Sequence, residues 1–313
     1  MENFRQVAQN VYQINALDSL QPAVKVYFIP DKYPALVDTG PTAASSTIME
    51  ALHHIGYEPA SLAYIFLTHI HMDHGGGAGY LAQQLPQVKV VVHPRGMRHL
   101  LDPSRLIAGT QVIFGADFPS QFGPILPVSE HQIQVARDEE VFLLGETELK
   151  VIYSPGHAPH HICFYESKSQ GLFVGEAMGI PLPEINFALP AVSPPEFDLE
   201  AYLNTLSRLR SLAPEILFYA HGGAPRETNK YFQLIYESLR KCLSVISRAV
   251  EAGETLPQFF ERFQKFIPGE ILRQFDSLFS SLFTETANLL KQQRVSLDSI
   301  SWELHRAKED GET

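Results

Sequence analysis

His69-Ile70-His71-Met72-Asp73-His74 puts three imidazoles and a carboxylate within six positions, directly ahead of Gly75-Gly76-Gly77. Imidazole and carboxylate are the ligands that zinc and similar divalent ions take, and ligands packed this closely are typical of metal motifs. The preceding run, Ala63-Tyr64-Ile65-Phe66-Leu67-Thr68, reads as a buried strand; the glycines and Tyr80-Leu81-Ala82 read as a loop entering a helix. The polar groups therefore sit on a turn at a strand end, where function concentrates. Three more strand-like runs end in the same way. Val151-Ile152-Tyr153-Ser154 leads into His157, with His160 and His161 just beyond; Gly171 to Val174 leads into Gly175-Glu176; Glu215 to Ala220 leads into His221. A metal site is assembled in space, so four strand ends that each deliver His, Asp or Glu form one constellation.

With this set the chain resembles the metallo-β-lactamase superfamily over residues from about 10 to 225. The resemblance rests on His-x-His-x-Asp-His, the later His157, the Gly175-Glu176 step, His221 and the early turn Val37-Asp38-Thr39-Gly40. It implies an αββα sandwich of two mixed β-sheets with helices outside, and two divalent metal ions at one sheet edge, most readily zinc, with iron or manganese as alternatives. His69, His71 and His157 would hold one ion, Asp73, His74 and His221 the other, and the acid at 176 would bridge them. The family usually has Asp at that last position. Glu adds a C–C bond of roughly 1.5 Å, whereas ligand distances tolerate only about 0.2 Å. Glu176 therefore bridges after a backbone adjustment, which is the favoured expectation, or binds one ion, or stays outside.

The chemistry implied is hydrolysis of a small-molecule ester, thioester or lactone by a metal-activated water. Asp73 would orient that water and pass protons, and His161 would act as an outer partner of the ligands or as an oxyanion donor. His160 stands where relatives more often have Gly. An iron-dependent oxidoreductase of the persulfide dioxygenase kind and a small-molecule phosphodiesterase share the fold and stay as alternatives. Flavodiiron proteins replace the motif's second His with Glu, and His71 counts against them.

Composition narrows the partners. The net charge of −11 falls mostly on residues 1–225, which hold 12 Lys and Arg against 22 Asp and Glu. No basic track for phosphates is present, so nucleic acid is a poor match and a small molecule the better one. No run approaches the ~18 apolar residues of a membrane span, and the first residues lack a secretory pattern. Cys163 and Cys242 have no ligand spacing and read as buried thiols, which suits a cytoplasmic protein.

These ligands need strands to carry them. Val11 to Leu17, Ala23 to Pro30, Ala35 to Val37 and Val88 to Val92 read as strands, and 43–55 as a helix closed by Gly56. Residues 101–140 read as an irregular insertion. Pro181 to Pro190 read as an apolar loop near the metals, and Leu199 to Leu212 as a helix. Past 225 only helical periodicity remains, over Tyr231 to Val250 and Ile271 to Leu290. The expected organisation is a catalytic domain, 1–225, and a C-terminal helical extension, 226–313, similar in arrangement to glyoxalase II but without matching glutathione contacts. The extension's many phenylalanines suit packing on the sandwich or a homodimer interface.

Overall fold

A computed structural model describes residues 3–17, 23–192, 196–263 and 284, and its strands form two sheets. The first runs in sequence order through β1 (Phe4–Ala8), β2 (Val11–Leu17), β3 (Val24–Ile29), β4 (Ala35–Val37), β5 (Tyr64–Phe66), β6 (Lys89–Val92) and β7 (Ile133–Val135). Its first four strands are antiparallel and the rest pair in parallel, so the sheet is mixed. The second sheet has the order β14-β11-β10-β9-β8, from β8 (Val141–Leu143), β9 (Glu148–Tyr153), β10 (Ile162–Glu166), β11 (Gly171–Gly175) and β14 (Ile216–Tyr219). A separate hairpin, β12 (Ile180–Leu182) with β13 (Phe187–Leu189), follows β11.

Alternation along the strands decides the layers, because successive side chains point to opposite faces. On β3, Tyr27 and Ile29 face the second sheet, where they meet Phe173, Phe218 and Val151 in the central core. Val24, Val26 and Phe28 face the other way, into a core shared with α1 (Ser45–Ile55) and α3 (Ala78–Gln84). On β11, Phe173 faces inward while Leu172 and Val174 pack outward with α7 (Leu199–Ser211) and α8 (Thr228–Glu251). Helix, sheet, sheet, helix is the αββα sandwich. Helix α1 ends where Gly56 takes φ +94°, the left-handed cap that glycine supplies without steric cost.

Two segments are more regular than the sequence suggests. Within 101–140 lie α5 (Ser104–Phe114), α6 (Phe118–Phe122) and β7, and α4 (Pro94–Leu101) precedes them. The periodicity of α5 is blurred because Leu106, Ile107 and Thr110 turn toward the protein while Val112 and Ile113 turn out. The apolar stretch 181–190 is the β12–β13 hairpin rather than a loop, and Ala188 N–H donates to Ser238 Oγ on α8 at 2.9 Å. Helix α8 lays Phe232, Ile235, Leu239 and Leu243 on the second sheet's outer layer. The helix expected over Ile271 to Leu290 and His305 lie outside the described residues, as do the phenylalanines from Phe266 to Phe283. Among the described residues no helix is long and apolar enough to cross a membrane.

Candidate metal centre

The ligand candidates arrive from both sheets. His69, His71, Asp73 and His74 follow β5, with Asp73 and His74 on the single turn α2 (Met72–Gly75). That turn is closed by His71 C=O, which accepts from His74 N–H at 3.0 Å and Gly75 N–H at 2.8 Å. His157 follows β9, Glu176 follows β11 and His221 follows β14. The structure brings them into two groups, His69–His71–His157–Glu176 and Asp73–His74–His221, with ligand atoms within 4.8 Å of one another in each. Glu176 Oε2 is 2.8 Å from His157 Nε2, 3.5 Å from His69 Nε2 and 3.8 Å from His74 Nε2. Its carboxylate therefore lies inside the centre, facing both groups.

Outer hydrogen bonds fix which imidazole nitrogens carry protons. His157 Nδ1 donates to Ala191 C=O at 2.9 Å, which leaves Nε2 to face Glu176 Oε2 at 2.8 Å; against the cost of burial, that carboxylate raises His157, so in the metal-free protein Nε2 shares a proton with it. Asp38 accepts from Thr68 N–H at 2.7 Å and from Thr68 Oγ1–H at 2.8 Å. Thr68 Oγ1 can then accept from His69 Nδ1–H at 3.1 Å, leaving a lone pair on His69 Nε2. His69 Nε2 and His157 Nε2 face each other at 3.3 Å, and His71 Nδ1 stands 3.1 Å from His157 Nε2. Nitrogens this close need a cation among them, which the proton shared by His157 and Glu176 supplies in the metal-free protein and a divalent ion would replace. In the second group His74 Nδ1 donates to Asp38 Oδ2 at 3.1 Å, while buried His74 Nε2 and His221 Nδ1 have no hydrogen-bond partner. Both observations fit divalent ions, and the N and O donors suit zinc, iron or manganese.

Electrostatics divide the imidazoles. Burial, helped by His157 and His160, pulls His71 down to about 3. Burial and the charge of His74 hold His69 well below its ordinary value. His74 goes the other way: burial opposes its charge, but Asp73 and Asp38 raise it to about 9. Burial likewise works against the charge on Asp73, yet His74 and His221 lower it to about 2.

His161 lies behind Glu176. Its Nε2 accepts from Glu176 N–H at 3.1 Å, which places the proton on Nδ1, 2.7 Å from Ser154 Oγ. Fully buried and bonded on both sides, it has no N–H for an oxyanion; it holds the backbone beneath Glu176. That backbone is irregular. The β11–β14 register shifts between Phe173 and Gly175, and Gly175 has φ +50°. A Cβ there would meet His161 Nε2 at 2.6 Å, so glycine is required.

Sequence reasoning gave no role to Asp38, Thr68 or Ala191, although the Val37–Gly40 turn was visible. Asp38 sits at φ +62°, a turn that aims its carboxylate at His74. Buried His160 has Nε2 3.5 Å from Glu196 Oε2, at the rim beside His71. His93 caps α4 by accepting from Arg95 N–H at 3.0 Å. Cys163 and Cys242 are free and buried, and burial pushes both thiols up to about 12.

Comparison with known proteins adds four findings. A family model described as the metallo-beta-lactamase superfamily matches residues 22–221. A metallo-beta-lactamase fold-containing protein of Sulfurisphaera tokodaii is 29% identical over 165 residues; the match spans 52% of this chain and 61% of that protein. An atrochrysone carboxyl ACP thioesterase of Aspergillus fumigatus is 22% identical over 162 residues, 52% of this chain and 39% of the fungal one. Among solved structures, a metallo-beta-lactamase family protein from Thermus thermophilus superposes with a TM-score of 0.68 at 21% identity, covering 93% of this chain and 96% of its own. That likeness shows the fold.

Proposed function

Because the chain belongs to the metallo-beta-lactamase superfamily, we propose that it is a metal-dependent hydrolase of small acyl compounds, an ester, a thioester or a lactone. The observation that carries this reading is the convergence of imidazole nitrogens at His69, His71 and His157 on the Glu176 carboxylate, beside the Asp73–His74–His221 group. A divalent ion there would lower the pKa of bound water from 15.7 to about 7 and polarise a carbonyl. In this reading His69, His71, His157 and Glu176 hold one ion, and Asp73, His74 and His221 the other, with Glu176 shared.

The chain's own groups do the rest. Ala191 C=O, Thr68 and Asp38 set the tautomers of His157, His69 and His74, and such outer partners are worth 10–100-fold in metal affinity in other sites. Asp73 is the more exposed of the two carboxylates and faces His221 Nε2 at 3.3 Å, which supports a role in taking a proton and returning it to the leaving group. His161 and Ser154 keep the Glu176 backbone in place. Among acyl classes a thioester is favoured, supported by the thioesterase named among the relatives.

The test is a panel of a thioester, a lactone and a phosphodiester on zinc-, manganese- and iron-loaded protein, with metal content measured in parallel. Thioester or lactone turnover is expected, and His71→Ala should abolish metal binding and turnover together. Oxygen consumption by iron-loaded protein, with no hydrolysis under any metal, would replace this reading with the oxidoreductase one.

A further inference from the structure

Beside the centre lies a surface unlike the rest of the molecule. Helix α4 packs directly on the motif: a Cβ on Gly96 would stand 3.0 Å from Ile70 Cγ2, between two candidate ligands. Along the rim, His99 on α4 is held below its ordinary value by burial and Arg98, with His160 and Glu196 close enough to act on it. His160 in turn pairs with Glu196 at 3.5 Å, next to His71. Helix α4 thus flanks the ligands, and α5 begins beside it, with Arg105 close enough to act on His99.

Those faces are basic and apolar in a chain of net charge −11. Arg95 and Arg98 are exposed on α4, and Arg105 on α5. None of the three has an ion-pair partner among the described residues. From 95 to 114 the single carboxylate is Asp102, and it is occupied by Ser104 N–H and hydroxyl. Following Arg105 at helical spacing are Ala108, Gly109 and Val112; nothing lies within 4 Å of a Cβ built on Gly109. Val112 is 86% and Ile113 63% exposed. Arginines on α4 and at the start of α5, small residues along α5 and bare aliphatics at its end offer a seat for a helix of opposite charge.

Resting on the thioester reading above, we infer that the α4–α5 face docks an acidic, helical carrier domain that presents its acyl thioester on a tethered arm. The charge supports this occupant: an acidic helix complements Arg95, Arg98 and Arg105, and docking there sets the arm beside His71 and His160. Free pantetheine thioesters would reach the ligands without touching the arginines.

The experiment uses the full zinc-loaded chain and two substrates with one acyl group, a butyryl thioester on bacterial acyl carrier protein and the same thioester of free pantetheine. Arg98→Glu/Arg105→Glu and Val112→Asp should each lower kcat/KM for the carrier-borne substrate roughly tenfold or more, while the free thioester changes less than about twofold. Loss on both substrates, or on neither, overturns the inference. So does wild-type binding to phosphatidylglycerol vesicles that Val112→Asp removes, or a dimer in sedimentation that the same change splits. If neither thioester is cleaved, the hydrolase reading fails separately, and anisotropy of a labelled carrier bearing a non-hydrolysable thioether still decides. Binding weakened by the arginine reversals sustains the docking site; no binding overturns it.

Discussion

His74 should make the metal-free and metal-loaded proteins respond to pH in opposite directions. Its Nδ1 faces Asp38 at 3.1 Å and its Nε2 faces Asp73 at 3.6 Å, and together they lift it from 6.5 to about 9 against the cost of burial. A group whose pKa is raised by folding stabilises the fold fully below its unfolded value and ceases to do so as pH rises through the folded one. In the metal-free protein this contribution, on the order of 3 kcal/mol, is present below pH 6.5 and lost by about pH 9. An ion on Nε2 needs the neutral ring. At pH 7 it must displace a proton bound about two pH units below its pKa, roughly a hundredfold in affinity. Affinity for that ion should then climb about tenfold per unit from pH 7 to 9 and level off above. Thermal melts with and without metal, and calorimetry at pH 7 in buffers of different ionisation enthalpy, read both effects. Asp38→Asn keeps an acceptor but removes the charge, and should flatten both slopes. Metal-free stability that stays level or rises between pH 7 and 9, or metal uptake with no proton release, would refute the reasoning.

Other substitutions probe the support beneath Glu176. Gly175→Ala forces a Cβ to 2.6 Å from His161 Nε2 and 2.9 Å from Thr68 Cβ at φ +50°; a loss of ~2–4 kcal/mol is expected in urea unfolding, and an unchanged midpoint would contradict the close approach. Glu176→Asp withdraws the carboxylate by roughly 1.5 Å from a backbone fixed by His161, so metal content should fall by about one ion; undiminished metal content would show that the site does not need the longer side chain. His161→Leu leaves Glu176 N–H buried without an acceptor, at ~1–3 kcal/mol, and should weaken metal binding 10–100-fold. Undiminished affinity would reduce His161 to a packing residue.

Ligand chemistry and strand periodicity were both legible in the sequence. His69 to His74, His157, Glu176 and His221 declare themselves by residue type at the ends of apolar runs, and the structure gathers them into two groups. Their supports were not legible. Thr68 and Ala191 act through a hydroxyl and a main-chain carbonyl whose partners lie elsewhere in the chain, and Ala191 is 34 residues from His157. The hairpin at 180–189 was hidden by Pro181, Pro183 and Pro190, which read as loop punctuation although a two-stranded edge tolerates proline. Helix α5 was hidden because its apolar residues point two ways. Glu196 lacks any local pattern; only the fold sets it beside His160.

Assembling the ligands from both sheets also bears on when the centre can exist as the chain is made. The first sheet is complete by Val135, with His69, His71, Asp73 and His74 already in place. His157 and Glu176 come later, and His221 emerges last, after β14 has entered parallel to β11 at the far side of the second sheet. A nascent chain that has passed residue 74 therefore carries two of the four residues of one group and two of the three of the other, and no truncated product ending before residue 221 can close the second group. Any ion that needs the complete second group can be held only after β14 has threaded into place, which would make metal occupancy a record of folding as well as a condition for chemistry.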